Sequence, residues 1–276
     1  MKLLFMGRKP AAAEALRWSL RAGFDVVGVI TDADNPDSET ARIARRRDLA
    51  LLDYEGACEL VADGRLEFDV GVSFVFWKII DEPLLDAPGC GIINFHPAPL
   101  PEYRGTAGYN VAILEGLDRW AVTAHYMEQE IDAGGIIDSF EFSIDPVQET
   151  ARTLERKSQR FMLDLYRKTM RRVLKRGTEL ETRPNDGGRY ISRAKMEKMK
   201  RVEPGDDIDR KIRAFWFPPY HGAFIELDGQ KYTLVNERIL EAVARGEERP
   251  VGPPRRRGSD SEDDVESSVE YPTSEQ

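Results

Sequence analysis

The amino-acid sequence predicts an α/β fold: a mostly parallel, Rossmann-like sheet with helices on both faces. Three observations carry that expectation. Short apolar runs recur at KLLFMG (2–7), DVVGVIT (25–31), DVGVSF (69–74) and GIINFH (91–96). Segments with helical patterning, at 11–23 and 39–48, stand between the early runs. Strands that alternate with helices pair in parallel and are covered on both faces. Two further runs, 121–128 and 135–144, are joined by a link too short for a crossover helix, which predicts neighbouring strands of antiparallel sense.

Each element has a local reason. KLLFMG carries no charge after Lys2 and reads as a buried first strand rather than a leader peptide. The helix AAAEALRWSLRAG ends on Gly23, the residue favoured at a left-handed C-terminal cap. ETARIARRRD (39–48) is the second helix. A long helix runs from the cap-like Thr150 to about 176. One face of it carries Arg152, Arg156, Lys157, Arg160 and further cations as far as Arg176, against Glu155 and Asp164. Such a face reads either as a solvated surface or as a contact for polyphosphate or RNA. RPNDGG (183–188) is turn-rich. A helix follows at 208–215, then the turn Phe217-Pro218-Pro219-Tyr220 and a hairpin at 223–235. Asp228-Gly229 between alternating residues signals that hairpin. Beyond 246 the Pro, Arg, Ser and acid-rich composition predicts disorder.

The bulk numbers exclude several functions. The chain has 276 residues, 41% of them apolar, enough for one large domain and a small one. Cys58 and Cys90 form no CxxC and no metal-ligand spacing, which predicts a reduced, cytoplasmic protein without a metal site. No run is long enough to span a membrane. A formal net charge of −9 argues against nonspecific nucleic-acid binding by the whole surface. Gly7-Arg8-Lys9-Pro10 lacks the G-x-G-x-x-G spacing, so a dinucleotide oxidoreductase is a poor reading.

The chemistry concentrates in INFHPAPLPEYRG, residues 93–105. Asn94 and His96 stand two apart on one strand, so both side chains emerge on the same face. They lie at the strand's carboxyl end, where open α/β sheets place their sites. Pro97, Pro99 and Pro101 cannot donate to a ladder and stop the strand there. A second segment, HYMEQEIDAGGIID (125–138), sets Asp132 at the head of a tight turn. Asp132 is either a turn initiator or a carboxylate returned to His96 to orient and balance its ring. Nothing around His125 suggests chemistry, so it reads as packing. His221 reads as an exposed turn residue.

Taken together, N-x-H-P, L-P-x-Y-R-G, a helix ending A-I-L-E-G, V-T-A-H-Y-M and I-D-A-G-G-I-I closely resemble the formyltransferases that use 10-formyltetrahydrofolate. Methionyl-tRNA formyltransferases, glycinamide ribonucleotide transformylases, sugar N-formyltransferases and formyltetrahydrofolate hydrolases share that pattern. The resemblance is specific over 70–145 and weaker over 1–70 and 205–240. It implies a formyltransferase catalytic domain over 1–180, a small C-terminal module over 181–245 and the disordered acidic tail over 246–276. It implies the catalytic residues Asn94, His96 and Asp132. It also implies a pterin read by main-chain groups near Lys78, Ile79 and Ile80 and along Glu128, Gln129, Glu130 and Ile131, with Arg104, Gly105 and Thr106 beside the formyl carrier. Phe76 and Trp77 read either as core or as pterin contacts. Gly135 departs from the family, which often has Asp there.

The chemistry suits those residue types. An amide NH₂ at Asn94 is an oxyanion donor, and a neutral imidazole at His96 is a proton acceptor. For the acceptor, the resemblance of 210–227 to the C-terminal module of sugar N-formyltransferases points to an amino-sugar nucleotide. Charge is roughly balanced over 195–250 and the tail is acidic, so tRNA is the less favoured partner. Arg8 and Lys9 are candidates to touch an anionic acceptor. A hydrolase is a further alternative, expected to carry an N-terminal regulatory domain, whereas this chain opens directly in the catalytic fold. A non-catalytic folate binder would have no use for the three polar residues. A homodimer is left open.

Overall fold

The structure, a computed structural model, describes residues 1–31 and 35–247. The tail expected to be disordered lies, from 248 onward, outside the described residues. The strands are β1 (Lys2–Gly7), β2 (Asp25–Ile30), β3 (Leu51–Leu52), β4 (Val70–Phe74), β5 (Ile92–His96), β6 (Tyr103–Gly105), β7 (Arg119–Tyr126) and β8 (Ile136–Ser143), followed by β9 (Arg189–Ile191), β10 (Phe224–Leu227) and β11 (Gln230–Thr233). Seven of them make one sheet in the order β3-β2-β1-β4-β5-β7-β8. The pairings from β3 through β5 are parallel; β5–β7 and β7–β8 are antiparallel. The expected mostly parallel sheet and the antiparallel pair are both present.

The helices are α1 (Lys9–Ala22), α2 (Glu39–Arg46), α3 (Tyr54–Ala62), α4 (Gly108–Leu114), α5 (Ala151–Arg176), α6 (Arg193–Met199), α7 (Ile208–Phe215) and α8 (Glu237–Ala244). α1 ends at Gly23 with φ 94°, as its sequence predicts. It begins two residues earlier than the apolar pattern, because Pro10 is tolerated in a first turn. Thr150 caps α5: its hydroxyl accepts from Thr153 N at 3.1 Å, and Thr153 Oγ1 accepts from Thr150 N at 2.9 Å. α2 stops two residues short of its predicted end, before Asp48 at φ 52°.

Strand alternation splits the core. Leu3 and Phe5 of β1 join one apolar cluster with α1, α5 and α7, whereas Leu4 and Met6 join a second with Ala57 of α3. The Ser19 hydroxyl of α1 meets the Tyr166 hydroxyl of α5 at 2.5 Å, a buried polar pair that fixes those helices together. Ile212, Ala214 and Phe215 of α7 belong to the first cluster, and Asn110 Nδ2 donates to Ala214 O at 2.7 Å. The C-terminal elements thus share a core with the sheet. β10 and β11 form the expected hairpin around Asp228 at φ 50° and Gly229 at φ 75°, the signature of a type I′ turn.

Candidate active site

Strand β5 sets the site's geometry. Ile93 and Phe95 face the cluster built on α1 and α5, so Asn94 and His96 face the other way. His96 is 5% exposed, and Asn94 is half-buried. The proline segment after His96 is pinned from β7: Trp120 Nε1 donates to Pro97 O at 2.9 Å, and Thr123 Oγ1 donates to Ala98 O at 2.8 Å. The chain is then held back over the His96 ring.

Asp132 reaches the pair from the β7–β8 turn, at φ 53°. Gly134 allows that turn: a Cβ there would lie 2.1 Å from Tyr126 O. Asp132 Oδ1 lies 3.4 Å from His96 Nδ1 and 3.4 Å from Asn94 Nδ2, and Oδ2 accepts from Gly105 N at 2.9 Å. Burial alone would push this carboxyl up. The adjacent imidazoles and the Gly105 N–H outweigh it and hold Asp132 well below the usual carboxylate range. For His96 the balance runs the other way. Burial lowers its proton affinity more than Asp132 raises it, and His125 lowers it further, so the ring is neutral at neutral pH.

His125 is the residue that sequence reading missed. Its assignment as packing is corrected here: the ring lies in the site. In the antiparallel register His125 stands directly opposite Asn94, so both side chains emerge on one face. Its Nδ1 is 2.7 Å from Tyr126 O and therefore carries the proton. Its Nε2 then accepts from Asn94 Nδ2 at 3.0 Å. This fixes the Asn94 amide with its NH₂ toward His125 and Asp132. The signal was available, because Asn94 and His125 align once β5 and β7 are paired antiparallel. Tyr103 adds a backbone contact: its carbonyl lies 2.9 Å from His96 Nε2, which places the neutral ring's proton on Nε2.

The other predicted residues divide. Arg104 crosses to the second loop, donating to Ile131 O at 2.8 Å and pairing with Glu130 at 2.5 Å. Gly105 touches Asp132, and Thr106 N donates to Ile191 O at 3.0 Å. Glu128, Gln129 and Glu130 are exposed around the turn, and Ile131 is half-buried. Lys78 pairs with Glu55, and Ile79 is exposed. The Ile80 side chain sits in the core beside α3, which leaves only its main chain for recognition. Phe76 packs on that same core, while Trp77 is 41% exposed beneath the Arg8 guanidinium. Lys9 is paired with Glu155, so it is not the unengaged cation that an anionic acceptor would need. Thr182 lies against Gly135, where a Cβ would meet its Oγ1 at 2.7 Å, so a larger residue in this turn would have to displace the Thr182 side chain. His221 is exposed, as expected. Among the described residues no group of His, Cys, Asp and Glu is arranged to hold a metal ion, and no helix is long and apolar enough to cross a membrane.

Comparison with known proteins agrees with this geometry. Residues 57–170 match the sequence model of the formyl transferase family. Methionyl-tRNA formyltransferase of Pseudothermotoga lettingae is 30% identical over 256 residues, spanning 90% of this chain and 82% of that protein. Among solved structures, a 4-N formyltransferase from Francisella tularensis superposes with a TM-score of 0.72 at 20% identity, covering 86% of this chain and 97% of that one. An N-formyltransferase from Helicobacter canadensis, in complex with folinic acid and dTDP-3-aminofucose, gives a TM-score of 0.68 at 25% identity over 86% of this chain and 89% of that one. On its sequence, its sheet and its relatives, the chain belongs to the formyltransferase family.

Proposed function

We propose that this formyltransferase moves the formyl group of 10-formyltetrahydrofolate onto the primary amine of an amino-sugar nucleotide, using Asn94, His96 and Asp132. The convergence of those three side chains at the carboxyl end of β5 carries the mechanism. The acceptor amine attacks the formyl carbon, and the carbonyl oxygen gains negative charge. The half-buried Asn94 NH₂ donates to that oxygen, at the expense of its contact with Asp132 or His125. His96 takes the amine's proton at Nε2 after the amine or an intervening water replaces the Tyr103 carbonyl there and the ring adopts the tautomer whose Nδ1–H points at Asp132. Asp132 balances the imidazolium. Collapse of the intermediate breaks the bond to the folate nitrogen, which leaves with the proton held by His96, and the neutral imidazole is restored. The main chain around the exposed residues Ile79, Glu128, Gln129 and Glu130 offers hydrogen-bonding groups to a pterin.

The acceptor reading rests on charge. The cations of α5 are largely engaged within the chain: Lys157 with Glu149, Arg167 with Asp164, Lys168 and Arg172 with Asp138, and Arg176 with Glu181. Arg152 donates to Pro218 O at 2.8 Å, and Arg171 lies over Trp18. Internally paired cations release few counterions on meeting a polyanion, so this helix makes a weak tRNA surface. The Helicobacter protein's complex with dTDP-3-aminofucose supports the sugar nucleotide. A second reading, methionyl-tRNA as acceptor, is favoured by the names of the relatives 28–30% identical to this chain. Parallel incubations with 10-formyltetrahydrofolate and either a panel of amino-sugar nucleotides or methionyl-tRNA separate the two. Mass spectrometry of the sugar nucleotide should show addition of one formyl group. Formylation of methionyl-tRNA with no sugar nucleotide turned over rejects the first reading.

A further inference from the structure

One buried polar side chain near the site lies outside the trio and outside the β5–β7 pair. Asn185 is 7% exposed. Its Nδ2 donates to Asp132 O at 2.9 Å and to Gly134 O at 2.8 Å. Two carbonyl acceptors fix the amide's orientation, because Oδ1 in that place would face two oxygens. Oδ1 is instead buried with no hydrogen-bond partner in the described structure. Such a group is a cost to folding. An apolar side chain of the same shape would avoid that cost but would leave the turn's carbonyls without their donor.

The stretch around Asn185 grips the site from two sides. Arg183 N and O pair with Ile136 O and N at 2.9 and 3.0 Å, anchoring the stretch to the first residue of β8. Six residues on, β9 pairs in parallel with β6, matching Tyr103 to Arg189 and Gly105 to Ile191. Strand β6 supplies the carbonyl facing His96 Nε2 and the N–H facing Asp132 Oδ2. Between the two grips the backbone passes so close to the proline segment that a Cβ on Gly188, at φ 75°, would lie 1.6 Å from Pro101 O.

We propose that Asn185 is a positioning residue for formyl transfer. Its carboxamide clamps the turn that aims Asp132 at His96 and Asn94, and the stretch 183–191 holds that turn and β6 in one frame. The proposal rests on the reading of Asn94, His96 and Asp132 as the reacting groups. Asp132 acts on His96 through charge at 3.4 Å. That effect weakens with distance and with any water admitted between them, so the turn's backbone must be held as firmly as the side chain. Misplacement by about 1 Å at such a site can lower turnover by roughly 10²-fold.

The test is histidine side-chain NMR on the ligand-free chain, which needs no knowledge of the acceptor. The chain has three histidines, and substituting His125 or His221 assigns the His96 signal. Three groups bear on the His96 ring: Asp132 from the turn, His125 from β7 and the Tyr103 carbonyl from β6. Arg104 and Glu130 lie one contact further out. Of these, only the Asp132 backbone is held by Asn185. Asn185→Leu removes both donors without adding charge. It should displace the His96 titration to lower pH, in the direction of Asp132→Asn but by less, while thermal melting stays close to wild type. With either dTDP-3-aminofucose or methionyl-tRNA as the amine, kcat should fall roughly 10- to 100-fold with KM for the amine little changed. Asn185→Ser, which keeps one donor, should fall between, and it serves as the test where the leucine variant does not fold. A folded Asn185 variant with an unmoved His96 titration overturns the proposal. If Asp132→Asn also leaves His96 unmoved, the fault lies in the reading of the trio itself.

Discussion

Replacing Asp132 by Asn is the sharpest probe of the mechanism. The carboxylate lies 3.4 Å from His96 Nδ1. With an effective dielectric constant of about 20, attraction between it and a His96 cation is about 5 kcal/mol at that distance. If about half of the charge has developed at the transition state, about 2–3 kcal/mol is lost, or roughly 10²-fold in turnover. The hydrogen bonds add to this. The oxygen of the substituted amide can still accept from Gly105 N, but its NH₂ is then turned toward the Asn94 NH₂, where Asp132 Oδ1 accepts in the native chain. A donor facing a donor costs about 1–3 kcal/mol more, which extends the loss toward roughly 10⁴-fold. The pH profile supplies an independent sign. In the proposed mechanism His96 acts as a base in its neutral form, so activity should fall on the acid side of its pKa. Asp132 raises that pKa against the stronger effect of burial. Removing the charge therefore moves the acid limb of kcat/KM to lower pH, even as its height falls. The assay is tetrahydrofolate release in single-turnover mixtures across a pH series. Wild-type turnover in a folded Asp132→Asn protein, or an acid limb that stays in place, would refute the reasoning.

Three further outcomes follow from the same geometry. Asn94→Ala removes the proposed oxyanion donor and should lower kcat by roughly 10²–10³ with little change in folate affinity, read by steady-state kinetics and fluorescence titration. His125→Phe deletes the acceptor that orients Asn94; about 1 kcal/mol for that hydrogen bond predicts a loss in kcat of roughly fivefold, and a loss as large as that of Asn94→Ala would make His125 a reacting group instead. Gly229→Val forces a β-branched residue to φ 75° in the hairpin turn and should cost about 1–2 kcal/mol of stability, visible as a lower melting temperature with turnover preserved.

Much of the fold was legible because local signals and the global pattern agree. The four parallel runs, the Gly23 and Thr150 caps and the Asp228-Gly229 turn each form where their residue types demand. α3, α6 and α8 were missed, although Asp53, Ser192 and Asn236 cap them with side-chain oxygens. Those helices are seven to nine residues long and bury at most one residue each, so their apolar periodicity is faint. Within the site, the motif spacing pointed to Asn94, His96 and Asp132, and these do converge. What spacing does not carry is register. His125 looks like packing until β7 is laid antiparallel to β5, which turns it toward Asn94. Asn185 is further still from any motif, because its role exists only after residues 183–191 fold back over the turn.

The relatives matched by sequence name a tRNA enzyme, while the similar folds include sugar N-formyltransferases, and the structure gives a physical reason why both can hold. On the proposed mechanism, the sheet, the trio and the turn that carries Asp132 would serve any amine acceptor. Acceptor choice falls to surfaces around them, which need only present the right charge and shape. A nucleoside diphosphate needs a few directed donors, whereas tRNA needs a broad field of unpaired cations. On α5 Lys157, Arg167, Lys168, Arg172 and Arg176 each pair with a carboxylate of the same chain, so that field is weaker than the sequence suggests. The salt response converts this into a measurement: each phosphate neutralised releases counterions, so tRNA formylation would weaken steeply between low and moderate salt, and amino-sugar nucleotide formylation should change little.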